Sequence, residues 1–312
     1  MIKKQDKPIK RKAEFQRRKI KEAKDESSKI DRRKELRDEP PGTKPELFST
    51  IELKADRKHP STPMFTPVHP MTMKRKESEM KDISTVLVTG GAGTLGSAIA
   101  NELCEVYEYD VYTMDIPGTN ADILCNLKNT SAWKQALDDG PGFDAVVHVA
   151  GINKIAAHKD ITDQLLAEMM YVNCYSQFYL NRFLLEDVIN PLKLSLHIVS
   201  DAAIQPFTHS LAYNMSKAAQ LMMVRQMAHE IKPDVCTIFS VSPGKIANTG
   251  ISNYIDKAFP PLRGMTFEEG RAYQLSRLRT GEMDVSVTAE FICSLFDTAT
   301  VHNHGQNYVI GG

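Results

Sequence analysis

From residue 83 onward the chain alternates short apolar runs with stretches of helical spacing. The apolar runs, several of them rich in β-branched residues, read as buried strands at 86–89, 110–115, 122–125, 143–151, 194–200, 235–241 and 305–312. Between them, helical spacing predicts helices at 97–103, 131–137, 163–185 and 286–296, and another across Tyr213 and Lys217. Strand and helix in regular alternation predict an α/β fold, a doubly wound parallel sheet of about seven strands covered on both faces. Residues 250–280 have no clean period; aromatic and apolar residues (Tyr254, Phe259, Met265, Phe267) sit there among Pro and Gly. This stretch is expected to be a mobile lid over a substrate.

The first 82 residues break the pattern. Residues 1–39 are dominated by Lys, Arg, Glu and Asp with only scattered apolar positions, and prolines recur from Pro40 to Pro70. Such a stretch cannot bury a core, so 1–82 is expected to be a disordered charged tail and linker, and 83–312 the folded domain. The charge sharpens the division. The whole chain balances 39 basic against 39 acidic residues, but residues 1–82 carry 24 basic and 15 acidic, leaving the body acidic. A basic tail can meet nucleic acid or an acidic partner; interleaved acids and the lack of an aromatic platform favour a solvated tail instead. No run of about 18 apolar residues or secretory leader is read, so no membrane span is expected. Five scattered cysteines form no metal-ligand set, which suits reduced thiols in the cytoplasm.

The candidate chemistry begins where the first strand passes through a glycine turn (Gly90, Gly93, Gly96, with Thr94 and Leu95 between) into the helix at 97–103. Glycines let the backbone approach a phosphate, and the helix N-terminus offers unpaired N–H groups and a partial positive charge. Asp115 ends the second strand about 20 residues later. A carboxylate there accepts hydrogen bonds from a ribose 2′-hydroxyl and repels a 2′-phosphate, which points to NAD(H) rather than NADP(H). The fourth strand ends in Ala150 and Gly151, small enough for a ring or ribose to lie against the backbone. Tyr213 and Lys217 stand four apart, on one face of a helix. An ammonium near a phenol favours the phenolate, and a Tyr/Lys pair beside a nicotinamide suits proton shuttling during hydride transfer. Ser200, at the end of the fifth strand, can bond the same substrate oxygen. Pro243-Gly244, with Ile246 and Thr249 beyond, forms a turn placed to meet the carboxamide end of a dinucleotide.

These residues, in this order, resemble a short-chain dehydrogenase/reductase. The resemblance covers about 83–312 and rests on Thr89-Gly90…Gly93…Gly96, Asp115, Ala150-Gly151, Asn173, Ser200, Tyr213-x-x-x-Lys217, Pro243-Gly244…Thr249 and the terminal Gly311-Gly312. It implies a Rossmann-type sheet and a catalytic tetrad of Asn173, Ser200, Tyr213 and Lys217. Tyr213 would be the acid/base, and Ser200 would orient the substrate oxygen. Lys217 would bind the nicotinamide ribose and acidify Tyr213, and Asn173 would hold a relay water. It further implies adenine contact at Asn126 and Leu127, a small-molecule substrate, and a homodimer or homotetramer built on the helices bearing Asn173 and Tyr213; no metal is implied.

The chain departs from the family's single-domain pattern in places. Its glycine spacing fits TGxxGxxG rather than TGxxxGxG, with Thr94 where the latter has glycine, and His148-Val149 precedes Ala150-Gly151. Both features lean toward the larger sugar-nucleotide epimerase/dehydratase type, which would hold NAD tightly and use the same Tyr213. The 95 residues after Lys217 are too few for that type's substrate domain. An NAD(H)-dependent oxidoreductase of a small alcohol/carbonyl pair is therefore the first reading and the epimerase/dehydratase the alternative. A non-catalytic nucleotide sensor or scaffold, with the tail as its working part, is the reading from another class.

Overall fold

The computed structural model describes residues 83–138, 140–187, 190–278 and 280–311; the expected tail, 1–82, lies outside them. Seven parallel strands form one sheet in the order β3-β2-β1-β4-β5-β6-β7: β1 Thr85–Thr89, β2 Asp110–Asp115, β3 Ile123–Leu124, β4 Ala145–His148, β5 Leu194–Ile198, β6 Thr237–Pro243 and β7 Asn307–Ile310. The helices are α1 Thr94–Glu105, α2 Thr130–Asp138, α3 Asp163–Met170, α4 Ser176–Leu185, α5 Leu211–Glu230, α6 Gly250–Leu262, α7 Phe267–Ser276 and α8 Val285–Asp297.

Alternation along the strands divides the core into two layers. Val86 and Val88 of β1 pack with Ile99 and Leu103 of α1 and with Ile292 and Phe296 of α8. Leu87, on the opposite side, packs with Trp133 of α2, Leu180 and Leu184 of α4 and Val224 of α5. The central strands β1, β4, β5 and β6 are buried on both faces, which is why they read as near-continuous apolar runs, whereas β2, β3 and β7 are part-exposed. At the amino ends of the strands the Asp144 carboxylate ties three of them together. It accepts from the Ser84 and Thr85 N–H groups (3.0 Å each), the Ser84 hydroxyl (2.9 Å) and the Lys193 ammonium (2.7 Å).

Two expectations change. The single helix expected over 163–185 is α3 and α4 joined by a π turn, Tyr171–Tyr175, that contains Asn173. The stretch 250–280, without a clean period in the sequence and expected as a lid, holds α6 and α7. Thr249 caps α6 by accepting from Ser252 N–H (3.1 Å), and Thr266 with Glu269 closes a capping box on α7. Lys245, Asp256, Arg271 and Glu282 form an ion-pair cluster that joins these helices to the loops after β6 and before α8.

In a sheet of this order the chain leaves β1 first to one side and then to the other. The loops after β1 and β4 therefore diverge and leave a crevice at the carboxyl ends of the strands.

Candidate active site

The crevice is a cleft of about 730 Å³. Its phosphate end is the β1–α1 turn. Gly90 has φ +70, and a Cβ there would lie 2.7 Å from Ala150 N; a Cβ on Gly96 would lie 2.1 Å from the Gly90 carbonyl oxygen. The turn thus has room for glycine alone at both places. Gly93 takes the N-cap position of α1 with extended backbone and no side-chain cap, so the first N–H groups of the helix, over Thr94 and Leu95, are left for an anion. Asp115 lies across the turn, accepting from Ala92 N–H (3.0 Å) and Ile116 N–H (2.7 Å). Asn126 and Leu127 continue this wall, Asn126 accepting from Lys128 N–H at 3.0 Å. The cradle, the facing carboxylate and the absence of a cap on α1 fit a dinucleotide.

The floor is Ala150 and Gly151. A Cβ on Gly151 would stand 3.3 Å from Asn173 Oδ1, tighter than an ordinary contact, and 3.7 Å from Lys217 Nζ, an ordinary one. At the far wall lie Ser200, Tyr213 and Lys217, with Pro243, Gly244, Ile246 and Thr249 beside them. Of the expected catalytic and cofactor-binding residues, all line the cleft except Asn173. That side chain is fully buried, accepting from Ile152 N–H (2.9 Å) and donating to the Ile152 carbonyl and the Ser216 hydroxyl (2.9 Å each). It braces the irregular segment that follows Gly151 and is buried in the core. Thr249 Oγ1 likewise serves as the α6 cap.

Ser200 donates to Asp201 Oδ1 (3.0 Å) and accepts from Ala202 N–H (3.1 Å). Burial pushes the Tyr213 phenol up to about 12; Ser200 pulls it down and the Asp201 charge pushes it further up. The expected acidification by Lys217 is not what the geometry gives. The ammonium lies 5.9 Å from the Tyr213 ring centre and donates instead to the Ile198 carbonyl (3.1 Å) and Gln220 Oε1 (2.9 Å). Burial lowers Lys217 itself to about 7.

Asp201, a buried carboxylate next to Ser200 that is itself pushed up by burial, was not singled out in the sequence. Most of the apolar half of the cleft was not singled out either: Ile152 and Ile155 after the floor, Phe207, Ile251 and Ile255 of α6, and Tyr273 of α7; Phe259 of α6, expected in the lid, lines it too. Among the described residues no three metal-ligating side chains come together, and no helix is long and apolar enough to cross a membrane.

A family model described as enoyl-(acyl carrier protein) reductase matches residues 96–301. The chain is 26% identical to the L-2,3-butanediol dehydrogenase of Corynebacterium glutamicum over 251 residues, 72% of this chain and 93% of that one. It is equally identical over 245 residues to a human protein named dehydrogenase/reductase SDR family member 2, mitochondrial, covering 72% and 84%. The fold is that of a short-chain dehydrogenase family protein from Francisella tularensis (TM-score 0.65, 21% identity, covering 73% and 96%). It is also that of an actinorhodin polyketide ketoreductase variant solved with NADPH (TM-score 0.64, 18% identity, covering 74% and 97%). The ordered motifs, the seven-stranded parallel sheet and a family match over most of the folded part agree, and this chain belongs to the short-chain dehydrogenase/reductase family.

Proposed function

We propose that the protein is an NAD(H)-dependent oxidoreductase that interconverts an alcohol and a carbonyl on a small molecule, with 83–312 as its catalytic domain. One observation carries the reading: the uncapped glycine turn with Asp115 and the trio Ser200, Tyr213 and Lys217 line the same cleft. The nicotinamide, when bound, supplies or takes the hydride. Tyr213 gives its proton to the substrate oxygen in reduction and takes it back in oxidation. With the phenol near 12, Tyr213 is protonated at neutral pH, which suits carbonyl reduction; oxidation needs a more alkaline medium. Ser200 orients the substrate oxygen, and Lys217 meets the ribose side of the cofactor. The apolar walls from α6 and α7 exclude water and take the rest of the substrate.

Asp115 supports NAD(H): its carboxylate stands beside the glycine turn, and neither the turn nor the residues just after Asp115 bring an Arg or Lys to a 2′-phosphate. Exposed apolar residues on the π turn, α4 and α5 (Tyr175, Phe178, Leu211, Met215, Met222) support a homodimer or homotetramer on these helices. The five free thiols suit a reducing cytoplasm. Calorimetric titration of the full chain with NADH and NADPH tests the cofactor. NADH binding at least about tenfold tighter is expected, about 1.4 kcal/mol; tighter NADPH binding overturns the role given to Asp115.

A further inference from the structure

Under α4 and α5, on the cleft side of the sheet, the core is polar where an α/β fold ordinarily places aliphatic side chains. His148 of β4 and His197 of β5 are register partners, and their rings stack with centres 4.4 Å apart. Gln177 and Asn181 descend from α4 one turn apart, and Gln220 descends from α5 one turn after Lys217. All five, with Ser195, are fully buried. Buried amides and imidazoles are costly unless satisfied; apart from His148 Nδ1, which has no hydrogen-bond partner, these groups bond one another in a continuous chain that ends on Lys217.

The chain of hydrogen bonds has one direction. Gln177 Oε1 accepts from Gln220 Nε2 and from His197 Nδ1, both at 2.8 Å. His197 therefore carries its proton on Nδ1, and its Nε2 accepts from Asn181 Nδ2 at 2.9 Å. Asn181 Oδ1 is then left to accept from the Ser195 hydroxyl (2.8 Å) and from His148 Nε2 (3.1 Å). With its amino group spent on Gln177 and on the Ile198 carbonyl (3.2 Å), Gln220 presents its oxygen to Lys217 Nζ at 2.9 Å. A proton added to His197 Nε2 would meet the Asn181 amino group and break the sequence. Burial holds both imidazoles neutral, lowering His148 to about 4 and His197 well below its ordinary value.

We infer that Gln220 is a positioning residue for Lys217: the His148–Asn181–His197–Gln177 chain fixes the Gln220 amide with its oxygen toward the ammonium, and that neutral acceptor both aims Lys217 and sustains its charge. Two of the three ammonium hydrogens go to Gln220 and Ile198, which leaves one for the cleft. The other groups around Lys217 do little to sustain its charge. Tyr213, on the same helix, is protonated at neutral pH, and Cys174 from the π turn is pushed up to about 11 by burial and stays a thiol. His197 is neutral, and the Asp201 carboxylate is engaged by Ser200 and Gln205. The inference rests on the dehydrogenase reading for its consequence in turnover, but not for its consequence in Lys217 itself.

The test therefore has two readouts on the full chain. The first is the pH dependence of Lys217 acylation by acetic anhydride in the protein without cofactor, followed by peptide mass spectrometry. The wild-type midpoint is expected near 7. Gln220→Leu is expected to lower it by about one unit through loss of the acceptor, and Gln220→Glu, which supplies a charged acceptor, to raise it. The second is the pH profile of NADH oxidation with a reducible ketone. Its midpoint should move with the labelling midpoint in the same two directions. A purely structural role predicts lower melting temperatures with unmoved midpoints, and midpoints of both variants within about 0.2 unit of wild type overturn the inference. Should Gln220→Leu fail to fold, the upward shift in Gln220→Glu decides alone. Should the wild-type protein turn over no ketone, the dehydrogenase reading fails while the labelling result still judges the network.

Discussion

Replacing Gly96 with Ala puts the glycine turn to a test whose sign is informative. Gly96 is the third residue of α1, and a Cβ there would lie 2.1 Å from the Gly90 carbonyl oxygen and 3.1 Å from Gly91 Cα. Real contacts of this kind sit above 3 Å, so about 1 Å of movement must come from the backbone of the turn itself. Forced overpacking of this kind costs about 1–3 kcal/mol. In an unobstructed helix the same change would stabilise by about 1 kcal/mol through helix propensity. The structure therefore predicts that Gly96→Ala lowers the melting temperature and weakens NADH binding by about 5- to 150-fold. Gly250→Ala, at the start of α6 with open space around its Cβ, should leave NADH affinity unchanged and the melting temperature unchanged or raised. Differential scanning fluorimetry and titration of NADH fluorescence read the two effects. A rise in melting temperature with unaltered NADH affinity would refute the reasoning, because it would mean that α1 does not press on the turn.

Other outcomes follow from single carboxylates. Asp144→Asn should lower unfolding stability at pH 7 by about 2 kcal/mol or more, since it removes a buried charge that receives four hydrogen bonds. Burial pushes the Asp144 carboxyl up, but Lys193, Ser84 and Thr85 outweigh it and hold it below the ordinary range. Its contribution is thus complete above about pH 4 and lost as the pH falls through the folded-state value; denaturant melts at pH 7 and pH 3 should show the wild-type advantage shrinking in acid. Asp201→Asn removes an anion that opposes phenolate formation at Tyr213. The pH midpoint for alcohol oxidation should fall by roughly half to one unit, and an unchanged midpoint would mean that Asp201 does not act on Tyr213.

The sheet was legible because its central strands are buried on both faces and bounded by turn residues, and the part-exposed β2 still occurs at the residues expected for it. The phosphate turn and the Tyr213/Lys217 pair were legible for a similar reason. Gly90, Gly96 and the i, i+4 spacing are local constraints that a backbone must obey wherever it goes. What escaped depends on the fold. Asn173 interrupts one helix with a π turn and spends its amide on Ile152, a partner 21 residues away in sequence. The phenol of Tyr213 is governed by burial and Asp201 rather than by the neighbouring lysine, because Lys217 turns to Ile198 and Gln220. The helices at 250–262 and 267–276 carried a readable signal, the Thr266-x-x-Glu269 capping box, hidden by prolines at 260 and 261 in a stretch without clean periodicity. The polar layer of Gln177, Asn181, His197 and Gln220 shows no local pattern at all, since its members come from a strand and two helices brought together only by the parallel sheet.

The measurement that tests the account most directly is NADH turnover by the purified full chain across a panel of small ketones, set beside Tyr213→Phe. The account predicts measurable ketone-dependent oxidation of NADH in the wild type. Tyr213→Phe should lose it by about 100-fold or more, with NADH affinity kept within about threefold, because the phenol moves a proton while Asp115 and the glycine turn hold the nucleotide. Undiminished turnover in Tyr213→Phe, or nucleotide binding that vanishes with the phenol, would contradict it.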